Sequence, residues 1–415
     1  MLEAQKNITL KRWIQVAFIN LLVVAFLGTI MRYKIAYYLP FVDQDNFLQA
    51  HSHFAFSGWV TQVLMVLMWA FLYKYLPAKS LKKYQWLMIA NLVAAYGTLV
   101  SFIWQGYGAI STIFSSLSIL VSWSFAFIFW RDANKIKITN TSVYWFKAAL
   151  LFNVFSSFGA FFISYLVANN IQQPDWYLAA TYYFLHFQYN GWFFFACMGL
   201  LIEDIRQDMP LTLQKVIFWL FALACVPAYF LSALWLPIPT WVYVLVVAAA
   251  IADLAGLILL IKFFFQNKAT AFANVQRQVK CLFILSATAL SIKILLQLGS
   301  TIPYLSKLAF GFRPVVIGYL HLMFLGVISI FMIGFVKMKQ FIITGKAENI
   351  GIAIFVAGII LNEFFLMVQG LSYMNYVSVP YINQLLLGAA ICMLFGASLL
   401  IQGVSKRSAT NYLSK

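Results

Sequence analysis

The chain is poor in charged residues, in histidine and in cysteine. Charged residues make up 9% of its 415 residues, whereas about 25% is usual for a soluble protein. Hydrophobic residues make up 63%. A fold in water has no interior large enough to hide that much apolar surface, which excludes a soluble globular protein. The four cysteines all lie in apolar runs and form no CxxC pair, which argues against a disulfide framework or a cysteine metal site.

Acidic residues are the scarcest charged class, with 11 against 28 basic residues and a formal net charge of +17. The basic residues stand in small groups between long apolar runs, which is typical of membrane-protein loops and not of a nucleic-acid surface. We therefore predict an all-α polytopic membrane protein whose partner is the lipid bilayer, with no nucleic acid.

Twelve apolar runs are long enough to cross about 30 Å of hydrocarbon. We predict a single transmembrane domain over 1–415. The first run is expected to remain as a span because no small-residue cleavage site follows it. The predicted spans cover 13–31, 46–75, 85–106, 110–130, 143–168, 177–202, 214–236, 240–265, 280–303, 314–336, 349–371 and 381–403.

Lysine and arginine are distributed unequally between the two ends of these spans. One end collects nearly all of them, while the other has only Arg32, Lys34, Lys307 and Arg313. The positive-inside rule then predicts a protein of the inner (cytoplasmic) membrane with both termini in the cytoplasm.

Three of the four histidines begin similar segments: HSHFAFSGW from His51, HFQYNGW from His186 and HLMFLGV from His321. Aligned on His53, His186 and His321, each segment has an aromatic residue at position +3 and a glycine at position +5. The histidines are 133 and 135 residues apart, which is four predicted spans each time. This spacing predicts three pseudo-symmetric groups of four helices, at roughly 13–130, 143–265 and 280–403.

The three aligned histidines are expected about 10–15 Å below the outer surface, at 1.5 Å per residue. An imidazole at that depth is costly unless it is paired or ligated. It either hydrogen-bonds a neighbouring helix or binds a metal, and the repetition favours ligation. The +5 glycine leaves room for a flat macrocycle or for a close helix contact, while the aromatic residues are expected in the core. His51 and His53 point in nearly opposite directions on a helix and cannot share one iron.

This arrangement resembles subunit I of the haem–copper oxidase superfamily, which includes cytochrome and quinol oxidases and the large subunit of nitric oxide reductase. The resemblance covers the whole chain in topology and rests on the histidines in sequence. It implies a haem held by His53, or His51, together with His321. It also implies a copper or non-haem iron at His186, an electron donor that is a quinol or a cytochrome, and further oxidase-type subunits.

The sequence departs from that family in two places. Span 7 reads ACVPAYFLSALW and lacks the family's histidine pair, and span 10 has one histidine where the family has His-x-His. We therefore expect an incomplete binuclear site, with one bis-histidine haem retained. A second resemblance is to the NnrS-type haem–copper membrane proteins, which are of similar length and also carry a His-x-His span.

A few charges lie where a lipid-facing chain would not place them. Arg313, eight residues before His321, is a candidate partner for a haem propionate, or simply a solvated loop charge. Asp253, Lys293 and Glu363 lie inside apolar runs, where they form an ion pair or a proton path, or else reach to the interface.

Three functions remain open at this stage. The first is a haem-containing membrane oxidoreductase that transfers electrons or reduces a small gas, O₂ or NO. The second is a proton-coupled secondary transporter, although many of those repeat every six spans and not every four. The third is a haem or copper sensor or assembly protein without catalytic activity.

Overall fold

The computed structural model describes residues 2–137, 141–205, 208–267, 275–341 and 345–410. Nearly all of these residues are helical, and none is in a β-strand. The longer helices are α1 (Leu2–Ala36), α2 (Gln44–Leu72), α3 (Lys83–Gln105), α4 (Ala109–Ala133), α5 (Ser142–Ala168), α6 (174–205), α7 (Leu211–Cys225), α8 (Thr240–Gln266), α9 (Arg277–Ser300), α10 (Arg313–Met338), α11 (Lys346–Met374) and α12 (Ile382–Thr410). Shorter turns cover Ala78–Leu81, Pro227–Ser232 and Pro303–Gly311.

Within the described ranges, ten of these helices are long and apolar enough to cross a membrane. They are all of the above except α6 and α7, and each coincides with a predicted span. The α7 helix has 15 residues, fewer than the roughly 20 that a spanning helix needs. The α6 helix, which is divided into three segments as α2 and α10 also are, is not among the ten. The structure is therefore that of a multi-pass helical membrane protein, and the count of twelve spans stays a prediction.

Among the described helices, three are interrupted by a π-helical segment, in which the backbone hydrogen bonds reach one residue further than in an α-helix. The segments are Ala55–Thr61 in α2, Phe187–Phe193 in α6 and Leu322–Ser329 in α10. Each is preceded and followed by ordinary α-helix. The same departure from α-geometry therefore recurs in the three helices that carry the aligned histidines.

The helices fall into two compact units. The first comprises Met1–Val121, Gln276–Phe283 and Ser329–Lys415, and the second comprises Ser122–Val275 and Ile284–Ile328. In the first unit α1 packs against α2 and α12, α2 against α3, and α11 against α12. In the second unit α5 packs against α6, and α7 against α8. The two units are defined by contacts between helices. The three four-helix groups are defined by repetition in the sequence, and they stay a prediction.

Glycine allows α11 and α12 to touch through their backbones. A β-carbon placed at Gly396 would lie 2.5 Å from the Phe355 nitrogen, and one at Gly351 would lie 2.9 Å from the Leu400 nitrogen. In lipid there is no hydrophobic drive between helices, so such close van der Waals contact is a main source of their association. The contact thus holds the last two helices of the chain together inside the first unit.

A buried ion pair joins the end of α10 to the start of α11 in the first unit. The Lys337 ammonium lies 2.9 Å from Glu348 Oε1 and donates to Asn349 Oδ1 at 2.7 Å, and both charged side chains are fully buried. Glu348 Oε2 also accepts from the Gly345 amide, which caps α11. Lys337 is therefore one partner of a buried ion pair, although its position in the sequence is typical of a loop lysine.

Candidate functional site

The three aligned histidines all lie where an α-segment gives way to a π-segment. His186 and His321 are the last residues of their α-segments, and His53 is the last but one. The glycine at position +5 falls inside the π-segment in all three helices. Because π-helical turns are rare and occur often at functional sites, their presence at three equivalent histidines marks these positions as candidates.

Two of the π-segments leave backbone carbonyl groups that are satisfied by side chains of other helices. In α2 the Gly58 carbonyl accepts from Asn20 Nδ2 at 2.6 Å, and the Ser57 carbonyl accepts from Asn91 Nδ2 at 2.9 Å. In α10 the Val327 carbonyl accepts from Ser286 Oγ at 2.8 Å. A carbonyl group without a partner is expensive in a membrane, so these side chains stabilise the interrupted helices.

In the first unit, the His53 imidazole stacks on the aromatic ring of Phe102. Its ring lies 4.7 Å from that of Phe102, at an interplanar angle of 29°. The part of the chain that the structure describes offers no hydrogen bond to either ring nitrogen. His53 is half-buried, so its imidazole is held in place by packing while its nitrogens remain available to a ligand.

The neighbouring His51 lies against α1. A β-carbon at Gly28 would lie 3.3 Å from His51 Cε1, so the glycine makes the space that the imidazole occupies. The two histidines therefore have different surroundings, as their spacing on one helix requires. The expectation that His51 serves a second centre or faces the outer water stays open.

In the second unit, His321 has its tautomer fixed by its own helix. Its Nδ1 lies 2.8 Å from the Ile317 carbonyl oxygen. A carbonyl oxygen only accepts, so Nδ1 carries the hydrogen and the neutral ring has its lone pair on Nε2. Metal-binding histidines are commonly oriented in this way, with one nitrogen donating to a carbonyl group and the other facing the metal.

His186 is buried, and both of its ring nitrogens are hydrogen-bonded. Nε2 donates to the Cys225 carbonyl at 2.8 Å, and Nδ1 accepts from Asn190 Nδ2 at 3.0 Å. The Cys225 carbonyl is available because Pro227 follows the end of α7 and the Tyr229 amide bonds to Val226 instead. A metal at His186 would have to displace one of these partners, so the geometry here is that of a histidine joining two helices.

The predicted intramembrane charges Asp253 and Lys293 lie together in the second unit, and neither reaches a helix end. Only 8% of Asp253 and 5% of Lys293 is exposed. Both line a cavity of about 20 Å³, which we call the polar cavity. Its wall also includes His186, Asn190 and Gln297, and its polar side chains come from α6, α8 and α9.

Several polar atoms around the polar cavity have no partner among the described residues. The oxygens Asn190 Oδ1 and Gln297 Oε1 are buried without a hydrogen bond. Asp253 and Lys293 attract each other electrostatically, but no hydrogen bond or close ion pair joins either of them to another described residue. The sequence pointed to the two charges, while Asn190 and Gln297 gave no signal because amides are common in helices of every kind.

The glycines at position +5 in α6 and α10 make room for neighbouring helices. A β-carbon at Gly191 would overlap Phe152, and one at Gly326 would lie 3.0 Å from Ala289 Cβ. The fold therefore supports the close-contact interpretation of these two glycines. Arg313 is an exposed residue at the start of α10, and its role as a propionate partner stays a prediction.

The aromatic residues of the histidine segments are mostly core residues, as expected. Trp59, Trp192 and Tyr189 are buried, and the Tyr189 ring packs against Tyr319 and Phe324.

Glu363, the third intramembrane charge, lies in the first unit and is half-buried. It receives a hydrogen bond from Asn362 and is attracted electrostatically to Arg32. Glu363 is not among the residues that line the polar cavity.

Within the described ranges, no three histidine, cysteine, aspartate or glutamate side chains are grouped so that they could hold a metal ion. A haem iron needs only an axial imidazole on one or both faces, and so does not require such a group. His53, whose ring nitrogens make no hydrogen bond within the described ranges, fits that requirement better than His186 does.

No model of a known protein family matches the chain, and no curated protein matches it closely enough to count as a relative. The class is therefore defined by the fold and the site alone: a multi-pass helical membrane protein with histidines at three π-helical junctions and a buried polar cavity.

Proposed function

We propose that the chain is a haem-binding integral membrane protein that transfers electrons or reduces a small gas, O₂ or NO. The observation that carries the proposal is the recurrence of a histidine at the α-to-π junction of α2, α6 and α10. The same recurrence supports a threefold repeat of four helices and a total of twelve spans. It also fits the resemblance to subunit I of the haem–copper oxidases.

In this proposal His53 and His321 are each an axial haem ligand, a role that the resemblance implies and that is argued for each histidine within its own unit. Support for His321 comes from its Nδ1 hydrogen bond to Ile317, which leaves the lone pair on Nε2. Support for His53 comes from its stacked ring, and from nitrogens to which no described residue makes a hydrogen bond. When bound, a haem would supply one-electron chemistry. The residues of the chain would orient the imidazoles and exclude water, and no second metal at His186 is included.

The proposed setting follows from the same sequence features. We place the protein in the cytoplasmic membrane with both termini inside, because basic residues collect at one end of the spans. Electrons would come from a quinol or a separate cytochrome, since the chain has no CxxCH motif for covalent haem and no phosphate-binding glycine loop.

Optical spectroscopy of the purified protein tests the proposal. We expect a Soret band, and a low-spin signal in the reduced-minus-oxidised spectrum that His53→Ala and His321→Ala each abolish, because each removes an axial ligand. His186→Gln is the matched control and should retain the signal, since His186 is already hydrogen-bonded at both nitrogens. Absence of both haem and bound iron would overturn the function, and persistence of the signal in the His53 and His321 variants would overturn the ligand assignment.

A second candidate is a proton-coupled secondary transporter, favoured by the burial of Asp253 and Lys293 in one cavity. Intramembrane charges of this kind commonly belong to proton or substrate paths. Liposomes loaded with a pH-sensitive dye separate the two functions: solute-driven proton uptake by haem-free protein would favour transport, whereas its absence together with a haem spectrum would favour the redox function.

A further inference from the structure

We propose that the polar cavity is a proton-exchange site, in which one bound water molecule joins Asp253 to Lys293 and carries a proton between them. The inference does not depend on haem and holds for either function considered above. It rests on the size of the cavity, on its unpartnered polar atoms and on the orientation of the side chains that line it.

The cavity has the volume and the partners that a water molecule needs. Its roughly 20 Å³ exceeds the 10–15 Å³ or so that one water requires, and a buried water usually makes about three hydrogen bonds. Asn190 Oδ1 and Gln297 Oε1 are two buried acceptors without a donor. The Asp253 carboxylate is a third acceptor, and the Lys293 ammonium is a donor. A water that accepts from Lys293 and donates to Asp253 and to one of the two amide oxygens makes these three bonds.

Burial explains why the two charges need such a bridge. An ionised carboxylate and an ammonium in a membrane interior are each costly unless they are paired and hydrogen-bonded. Asp253 and Lys293 attract each other but make no close ion pair, so direct contact does not offset the free-energy cost of burying the two charges. A water molecule that accepts from Lys293 and donates to Asp253 would complete the pair.

A chain of hydrogen bonds fixes the orientation of Asn190. Cys225 accepts from His186 Nε2, which puts the His186 lone pair on Nδ1, and that lone pair accepts from the Asn190 amide group. The NH₂ group of Asn190 is thereby engaged, and Oδ1 is left as an acceptor. Asn190 and His186 are therefore positioning residues: they present an oxygen to the cavity and do not themselves carry the proton.

The exchange conserves atoms and charge. Lys293 gives a proton to the water oxygen as the water gives one of its own protons to the Asp253 carboxylate, which converts the ion pair to a neutral amine and a neutral carboxylic acid. Water is regenerated, and the total charge is zero before and after. The other titratable groups near the pair are His186, Cys225 and Tyr319.

Infrared difference spectroscopy of the full chain in lipid tests the site. The exchange takes up no proton from solvent, so a step in temperature and not in pH shifts it. On such a step we expect the C=O band of a protonated carboxyl group to change in intensity, and Asp253→Asn should remove that change. Glu363→Gln, which alters the half-buried carboxyl group of the first unit, should leave it intact. Lys293→Met should also abolish the change, because the exchange partner is gone and the band stays fixed.

The water molecule is tested separately, which keeps the proposal open to refutation if Asp253→Asn fails to fold. An O–H band that shifts in water labelled with the heavy oxygen isotope is expected in the wild type. It should be lost or weakened in Gln297→Leu, which removes one acceptor from the wall. A temperature-dependent carboxyl band that survives in Asp253→Asn, or an isotope-sensitive band that is absent from the wild type, would overturn the proposal. Neither result bears on haem binding.

Discussion

Replacing Lys337 by methionine is expected to lower the free energy of unfolding by about 3–5 kcal/mol, the usual cost of removing one partner of a buried ion pair. Methionine fills a similar volume but leaves the Glu348 carboxylate buried without a counter-charge. It also removes the donor to Asn349 Oδ1. Most of the loss therefore comes from the stranded carboxylate and not from reduced packing.

Two variants serve as controls for Lys337→Met. Lys346→Met removes an exposed lysine at the start of α11, close to Glu348 in the sequence, and should change the free energy of unfolding by less than about 0.5 kcal/mol. Combining Lys337→Met with Glu348→Gln should recover part of the loss, because the stranded charge is gone while a side-chain oxygen can still accept from the Gly345 amide. Denaturation in mixed detergent micelles measures all three. If Lys337→Met lowers the free energy of unfolding no more than Lys346→Met does, the buried ion pair is contradicted.

The second large effect is expected at the contact between α11 and α12. Gly396→Ala adds one β-carbon at 2.5 Å from the Phe355 nitrogen and 2.7 Å from its Cα. These are backbone atoms, so no rotamer change can relieve the overlap and the two helices must separate. We expect a loss of about 1–3 kcal/mol, which is typical of overpacking.

Gly388→Ala on the same helix is the matched control for Gly396→Ala. Apart from the adjacent residues and the nearby backbone of α12 itself, no described atom lies within 4 Å of the added carbon at this position. The replacement should be neutral or stabilising by up to about 1 kcal/mol, because alanine is the better helix former. Thermal melting in one detergent compares the two variants directly, and equal melting temperatures would show that the glycine contact does not hold the helices together.

Hydropathy located the ten helices that are long and apolar enough to cross a membrane, because such a helix needs little more than about 20 apolar residues in a row. The candidate histidines were also accessible from sequence, since residue type and spacing suffice to find them. Lys337 shows where this reasoning fails. A lysine next to a loop is interpreted as an orientation signal, and only its packing against Glu348 shows that it is buried.

The partners of the π-segments and of the polar cavity were beyond prediction for a physical reason. In a chain that is 63% hydrophobic, the helices show little contrast between a lipid-facing and a buried side, so periodicity does not tell which faces meet. The bonds from Asn20 to Gly58 and from Ser286 to Val327 span 38 and 41 residues. Such pairings are set by how helices stack, and the π-segments they support have no recognised sequence signal of their own.

The π-helical segments also change how each helix must be drawn on a helical wheel. A π-turn accommodates about one residue more than an α-turn, which corresponds to roughly 100° of rotation. In α10, the side chains after Ser329 are therefore out of phase with those before Leu322. A stripe drawn from His321 to the other end of its helix would cross to a different face, so a designer who scans α2, α6 or α10 for lipid-facing positions has to restart the count after each histidine segment.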